Sequence, residues 1–156
     1  MTLLTIATAL LATASPAVVE LEAEQRAPTP HSDSEGPLAF HLNVSARCAD
    51  ADDALLVAAS LGDTLSNWQP AEDGELPPLT LSVPRRQLVL SAPTICARRG
   101  IETPTESALD AAFTAQVMAR CTNGDGETSE RSTTAPLAIR FSCNPEPEAP
   151  DTEPTE

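Results

Sequence analysis

The chain has no lysine and no tyrosine, two histidines, one tryptophan and three phenylalanines among 156 residues. Each shortage excludes something. Nine arginines stand against 23 acids, for a formal net charge of −14, and a chain so charged is repelled by phosphate backbones and by anionic lipid. Nucleic acid and membrane surfaces are therefore poor partners. Histidine catalysis has little to build on: His31 lies in an acidic, proline-containing stretch and His41 on the polar side of a candidate strand. A Ser-His-Asp or Cys-His arrangement would rest on His41 alone. No Cys-x-x-Cys pair is present and the four cysteines are 48, 25 and 22 residues apart, which disfavours structural zinc. No catalytic or cofactor motif occurs, and the expectation is a chain that is not an enzyme and carries no resident cofactor. Past the first residues, no apolar run is long enough to span a bilayer.

What is present begins with an uncharged run from Leu3 to Ala14, dominated by Leu, Ile, Ala and Thr. It is too short to cross a membrane and matches the apolar part of a signal peptide, with Ala12-Thr13-Ala14 as a small-x-small cleavage pattern. Residues 1–14 are read as a signal peptide cut after Ala14, although Met1-Thr2 lacks the usual basic side chain. No cysteine lies near the cut, which argues against a lipid anchor. The expected location is secreted or periplasmic. In an oxidising compartment an even number of cysteines forms disulfides by default.

Charge divides the remainder. Residues 15–37 carry a net charge of −4, 38–143 carry −5 and 144–156 carry −5, so the flanks are the densely acidic parts. Both flanks are rich in Pro, Ser, Thr and Glu, as in Ala27-Pro28-Thr29-Pro30 and Pro145-Glu146-Pro147-Glu148. They hold too few apolar residues to offset the entropy of ordering a backbone. Residues 15–37 are thus expected to be a disordered linker, 144–156 a disordered acidic tail, and 38–143 the folded domain.

Six elements are predicted within 38–143. Phe40, Leu42, Val44, Ala46 and Cys48 alternate with His41, Asn43, Ser45 and Arg47, the mark of a strand with one face buried. Leu137, Ile139, Phe141 and Cys143 repeat the pattern. Leu79–Val83 and Gln87–Ile95 read as two strands about a tight connection at Pro84-Arg85-Arg86, and the proline places that connection at an edge. Two elements are ambiguous. Ala54–Ser60 suits a buried strand or a short helix capped by Asp50 or Asp52 and Gly62. Residues 104–120 contain the alternation Phe113, Ala115, Val117, Ala119, Cys121, yet Thr103-Pro104-Thr105-Glu106 resembles a capping box, and Leu109, Phe113 and Val117 fall at helical spacing. Two strands would give a mainly β, antiparallel, Ig-like sandwich; two helices would give a ferredoxin-like α+β fold. The sandwich is preferred, because the helical case leans on alanine, which occurs 25 times along the chain.

Chain direction then constrains the cysteines. Short connections favour reversal at each element. Cys48 and Cys121 then fall at one end of the domain, Cys96 and Cys143 at the other. The predicted bridges are Cys48 with Cys121 and Cys96 with Cys143. With Phe40, Trp68, Phe113 and Phe141 as its aromatics the core is light, so two such staples, worth roughly 4 kcal/mol each in the chain-entropy picture, bear on whether the domain folds.

Two places could carry a ligand. The Cys48–Cys121 bridge would bring together Asp50, Asp52 and Asp53 with Asn123, Asp125 and Glu127, oxygen ligands of the kind calcium needs, beside Gly124 and Gly126. Counted from Asn123, position six is Thr128 and position twelve Thr134, so the loop departs from the EF-hand, and a solvated Asn-Gly-Asp-Gly turn is the alternative. The second place is Trp68, in Leu65-Ser66-Asn67-Trp68-Gln69-Pro70. This segment is similar to the Leu-Gly-x-Trp-x-Pro segment of starch-binding sandwich modules, and Phe40–Ser60 resembles the two strands that precede it there. The resemblance covers a third of the domain, has Ser66 in place of glycine, and lacks the family's second aromatic platform and later Trp-Glu segment. It implies a sugar stacked on Trp68; a tryptophan closing one end of the core is the other reading. Asn43-Val44-Ser45 has the form of a glycosylation sequon. Arg85-Arg86 and Arg98-Arg99 are basic pairs that could meet anions or an acidic partner. The sequence therefore points to an exported interaction or structural module of unknown protein or glycan partner, with a ligand-binding module as the alternative.

Overall fold

Alternation of apolar and polar residues decides which parts of this chain become strands, and in the computed structural model it does so in more places than composition suggests. Residues 15–31, 36–72, 75–88, 96–97, 100 and 105–143 are described; of His31, residues 105–112 and Ser142 the backbone alone is described. The strands are β1 (Val18–Gln25), β2 (Thr29–His31), β3 (Leu38–Cys48), β4 (Ala54–Leu61), β5 (Thr64–Leu65), β6 (Gln69–Pro70), β7 (Leu79–Val83), β8 (Thr105–Thr122) and β9 (Thr128–Cys143). A single helical turn, α1 (Arg85–Leu88), follows β7.

Two sheets result. The smaller has the order β1-β3-β7; the larger, which is curled, has the order β2-β9-β8-β4-β5, with β6 also pairing β4. All pairs are antiparallel except β2 with β9, which is parallel over Thr29–His31 and Ile139–Phe141. The backbone of β8 and β9 is one long hairpin, from Thr105 opposite Cys143 to Thr122 opposite Thr128, with an irregularity between Leu109 and Phe113. Gly126, at φ 82°, makes the turn that closes it.

One core lies between the sheets. Leu38, Phe40 and Leu42 of β3 and Leu79, Leu81 and Val83 of β7 come from the small sheet. Val57 and Ala59 of β4, Ala115, Val117 and Ala119 of β8, and Ala135, Leu137 and Ile139 of β9 meet them from the large one. Leu88, on α1, closes one end. Alanine at so many inward positions keeps the core thin, and Phe40 and Phe141 are its largest fully buried side chains.

The disulfides join Cys48 to Cys121, with Cα atoms 5.8 Å apart, and Cys96 to Cys143, 5.7 Å apart. The first crosses from β3 to β8 and so ties one sheet to the other. The pairing is the one that chain direction predicts, but Cys96 is not at the end of a strand: Cys96 and Ala97 are helical.

Several expectations are corrected. Both ambiguous elements, 54–61 and 105–122, are strands, so the ferredoxin-like alternative does not hold; the alternation at Phe113–Cys121 outweighs the capping box at 103–106. The strand predicted for Gln87–Ile95 does not begin at Gln87, because Gln87 and Leu88 belong to α1, where Gln87 N–H donates to the Pro84 carbonyl at 2.9 Å; residues 89–95 lie outside the described ones. The stretch 15–37, expected to be disordered, supplies β1 and β2. Its acids explain the misreading: Glu20, Glu22 and Glu24 alternate with the inward Leu21 and Ala23, and their charge sits on one side of a strand that pairs with β3. The folded unit therefore starts before residue 38. The proposed signal peptide, 1–14, and the tail, 144–156, lie outside the described residues.

Gln25 closes the seam between the sheets. Its side-chain amide donates to the Ala138 carbonyl and accepts from the Ala138 N–H, which satisfies the edge of β9 just before β2 takes over. Thr29, buried at 4% exposure, donates its hydroxyl to the Ala39 carbonyl on β3 at 2.9 Å. An unpaired polar group at such a seam costs about 1–3 kcal/mol, so these two side chains matter beyond their size.

Candidate functional site

Trp68 reaches its position through backbone pairing. After β4 the chain turns at Gly62, φ 56°, and folds back along the edge of the strand it has just left. Ser66 N–H donates to the Ala59 carbonyl at 2.8 Å while its hydroxyl accepts from the Ala59 N–H at 2.9 Å. Ala71 N–H donates to the Leu55 carbonyl at 3.1 Å. Ser66 thus has a definite task at the position where starch-binding modules have glycine. Between these anchors β6 pairs with β4, and Leu56 of β4 lies opposite Pro70 on one side and Arg120 of β8 on the other.

That register sets the indole beside Arg120. The guanidinium stacks on the Trp68 ring, 4.5 Å from its centroid. Arg120 is the cross-strand partner of Glu130 on β9, and the two form an ion pair. At 35% and 51% side-chain exposure such a pair contributes about 0.2–1 kcal/mol, and its main effect is to orient the guanidinium over the ring. A cation over an indole adds about 0.5–1 kcal/mol at an exposed site.

Trp68 is half-buried and stands outside the core cluster, so it does not close one end of the core. It lies on the outer face of the large sheet, because Arg120 alternates with the buried Ala119 and Cys121. Leu56, Ala58 and Met118 point the same way, and Ala58 is fully buried although it faces outward. Leu65, 55% exposed, stands in the same returning segment.

The acidic loops lie at the same end of the domain, since Cys48 and Cys121 are joined just before them. Within each loop some of these oxygens serve the turn itself. Asp50 accepts from the Asp52 N–H at 3.0 Å. The Asn123 side-chain oxygen accepts from the N–H groups of Asp125 and Glu127, and its amide donates to the Glu127 carboxylate at 3.0 Å. Asp53 donates its N–H to the Asp50 carbonyl. Among the described residues no three His, Cys, Asp or Glu side chains form a group that could hold a metal.

His41 is exposed on the outer face of the small sheet, its Nδ1 3.1 Å from the Thr80 hydroxyl. Asn43 is exposed on the same face. Arg85 begins α1 and donates to the Gly36 carbonyl at 2.8 Å; Arg98 and Arg99 lie outside the described residues. Arg120, Glu130 and Gln25 were not singled out from sequence. The outward direction of Arg120 follows from alternation, but its meeting with Trp68 depends on the pairing of β6 with β4, which two residues cannot announce. No helix among the described residues is long and apolar enough to cross a membrane.

Comparison with known proteins leaves the geometry to stand alone: no family model, no curated protein and no solved structure matches the chain.

Proposed function

We propose that the chain is a secreted or periplasmic, non-enzymatic interaction module with an Ig-like sandwich, and that it meets its partner through the outer face of the large sheet. The observation that carries this reading is Trp68, half-buried on the outer face and held by Arg120. Tryptophan and arginine are the residues that interfaces enrich at their energetic centres, and a ring whose orientation is already fixed loses little entropy on contact. The bridge from β3 to β8 supports the sandwich, and two disulfides are consistent with an oxidising compartment. A carbohydrate is the alternative partner, favoured by the same indole, whose second face could stack on a sugar ring.

The test is binding of the mature chain to a glycan array and to a panel of extracellular proteins, with wild type beside Trp68→Ala. Signals lost in the variant, at unchanged circular dichroism, support the reading, and the class of probe decides between protein and sugar. Signals that survive the substitution overturn it. N-terminal sequencing of exported protein should begin at Ser15.

A further inference from the structure

Three strands of the large sheet set their outward side chains in rows that cross it. Ala58 of β4 pairs with Met118 of β8, and Met118 with Ser132 of β9. On one side of this row Ser60, Gln116 and Thr134 are aligned in the same way; on the other, Leu56, Arg120 and Glu130. Rows two residues apart along a strand are separated by about 7 Å. The middle row is therefore a strip with hydroxyls and an amide along one border and the ion pair along the other.

Trp68 heads that strip. With Pro70 opposite Leu56 and Gln69 opposite Val57, the register brings the indole alongside Ala58, whose methyl is small enough for the ring to reach over β4 to Arg120. The strip then runs over Ala58 to the half-buried thioether of Met118 and ends at the Ser132 hydroxyl. Gln116, Ser132 and Thr134 are exposed, and no described residue hydrogen-bonds their side chains. Arg120, by contrast, is already neutralised by Glu130. The strip thus offers an apolar floor and uncommitted neutral hydrogen-bonding groups, with no spare cation at Arg120 to offset the repulsion of an anion by a chain of net charge −14.

That combination fits a pyranose, whose flat C–H face packs on an indole or a thioether while the hydroxyls around its rim donate and accept. Neighbouring strands are about 4.8 Å apart, close to the length of one unit in an unbranched sugar chain. Resting on the reading that this face meets the partner, we propose that the ligand is an uncharged, unbranched glycan lying across the strands. One unit stacks on Trp68, the next lies on Met118 and a third beside Ser132, with Gln116 and Thr134 bonding their hydroxyls.

The experiment follows Trp68 fluorescence and the heat of binding while the mature full chain is titrated with cellotriose, maltotriose, mannotriose and chitotriose, with their monosaccharide units, and with trigalacturonate. At least one neutral trisaccharide should bind at millimolar concentration or below, about tenfold more tightly than its monosaccharide, which reaches Trp68 alone. Gln116→Ala/Thr134→Ala, at two exposed positions and with unchanged circular dichroism, should weaken the trisaccharide about tenfold and leave the monosaccharide within about twofold. Asn43→Ala, on the small sheet, should change neither. No binding of any neutral trisaccharide, equal affinity for one unit and three, or a preference for trigalacturonate would overturn the proposal. If a protein of the extracellular panel then binds the chain and is lost in Trp68→Ala, the outer face remains the partner surface and only the glycan falls.

Discussion

The outer faces of the two sheets obey the same alternation and have opposite characters. On the small sheet the outward positions of β1, β3 and β7 are mostly polar, with Glu22 and Glu24, His41, Asn43, Ser45 and Arg47, Thr80 and Ser82 all exposed, and only Ala39 and, at the irregular start of β1, Val19 breaking the pattern. On the large sheet the outward positions of β4 and β8 include Leu56, Ala58 and Met118, and the chain doubles back to lay Trp68 against Arg120 beside them. A polar face is at rest in water. A face that is partly apolar, with an aromatic ring only half covered, retains surface that a partner can take from water.

Substitutions can break that comparison or sharpen it. The inner positions set the scale. Phe40→Ala removes the largest buried side chain of β3 and should cost about 3–5 kcal/mol in urea unfolding. Replacing Cys48 and Cys121 together should cost roughly 4 kcal/mol by the same measurement, because that bridge closes the longer loop and joins the sheets. Trp68→Ala is the informative intermediate: loss of the stacked ring should cost about 1–2 kcal/mol, against no more than about 0.5 kcal/mol for Asn43→Ala at an outward position of the small sheet. Equal costs for these two would erase the distinction between the faces. Glu130→Gln should be smallest, a few tenths of a kcal/mol, fading further in high salt.

Much of the fold was legible because its strands alternate cleanly. β3 and the second half of β9 could be read residue by residue, and the direction of travel between elements led to the cysteine pairing. β1 was missed for a physical reason. Composition averages over both sides of a strand, and three outward glutamates made an alternating segment resemble a charged linker although Leu21 and Ala23 kept the inward period. β4 and β8 were ambiguous because alanine serves a thin core and a helix equally well. The start of the segment after β7 was misread because Pro84-Arg85-Arg86, taken for a tight turn between strands, instead leads into a helical turn. At the candidate site Trp68 stood out as the single tryptophan, while its partners did not, since Arg120 and Glu130 owe their roles to register across three strands.

One measurement tests the account of the large face most directly. Trp68 is the chain's one tryptophan, so acrylamide quenching of its fluorescence reports on that position alone. With Arg120 stacked on one side of the ring, quenching in the native chain should fall between that of a buried indole and that of the unfolded chain, and Arg120→Ala should raise it while leaving the fold intact. Quenching as low as for a buried indole, unchanged by Arg120→Ala, would contradict a tryptophan held at the surface for contact.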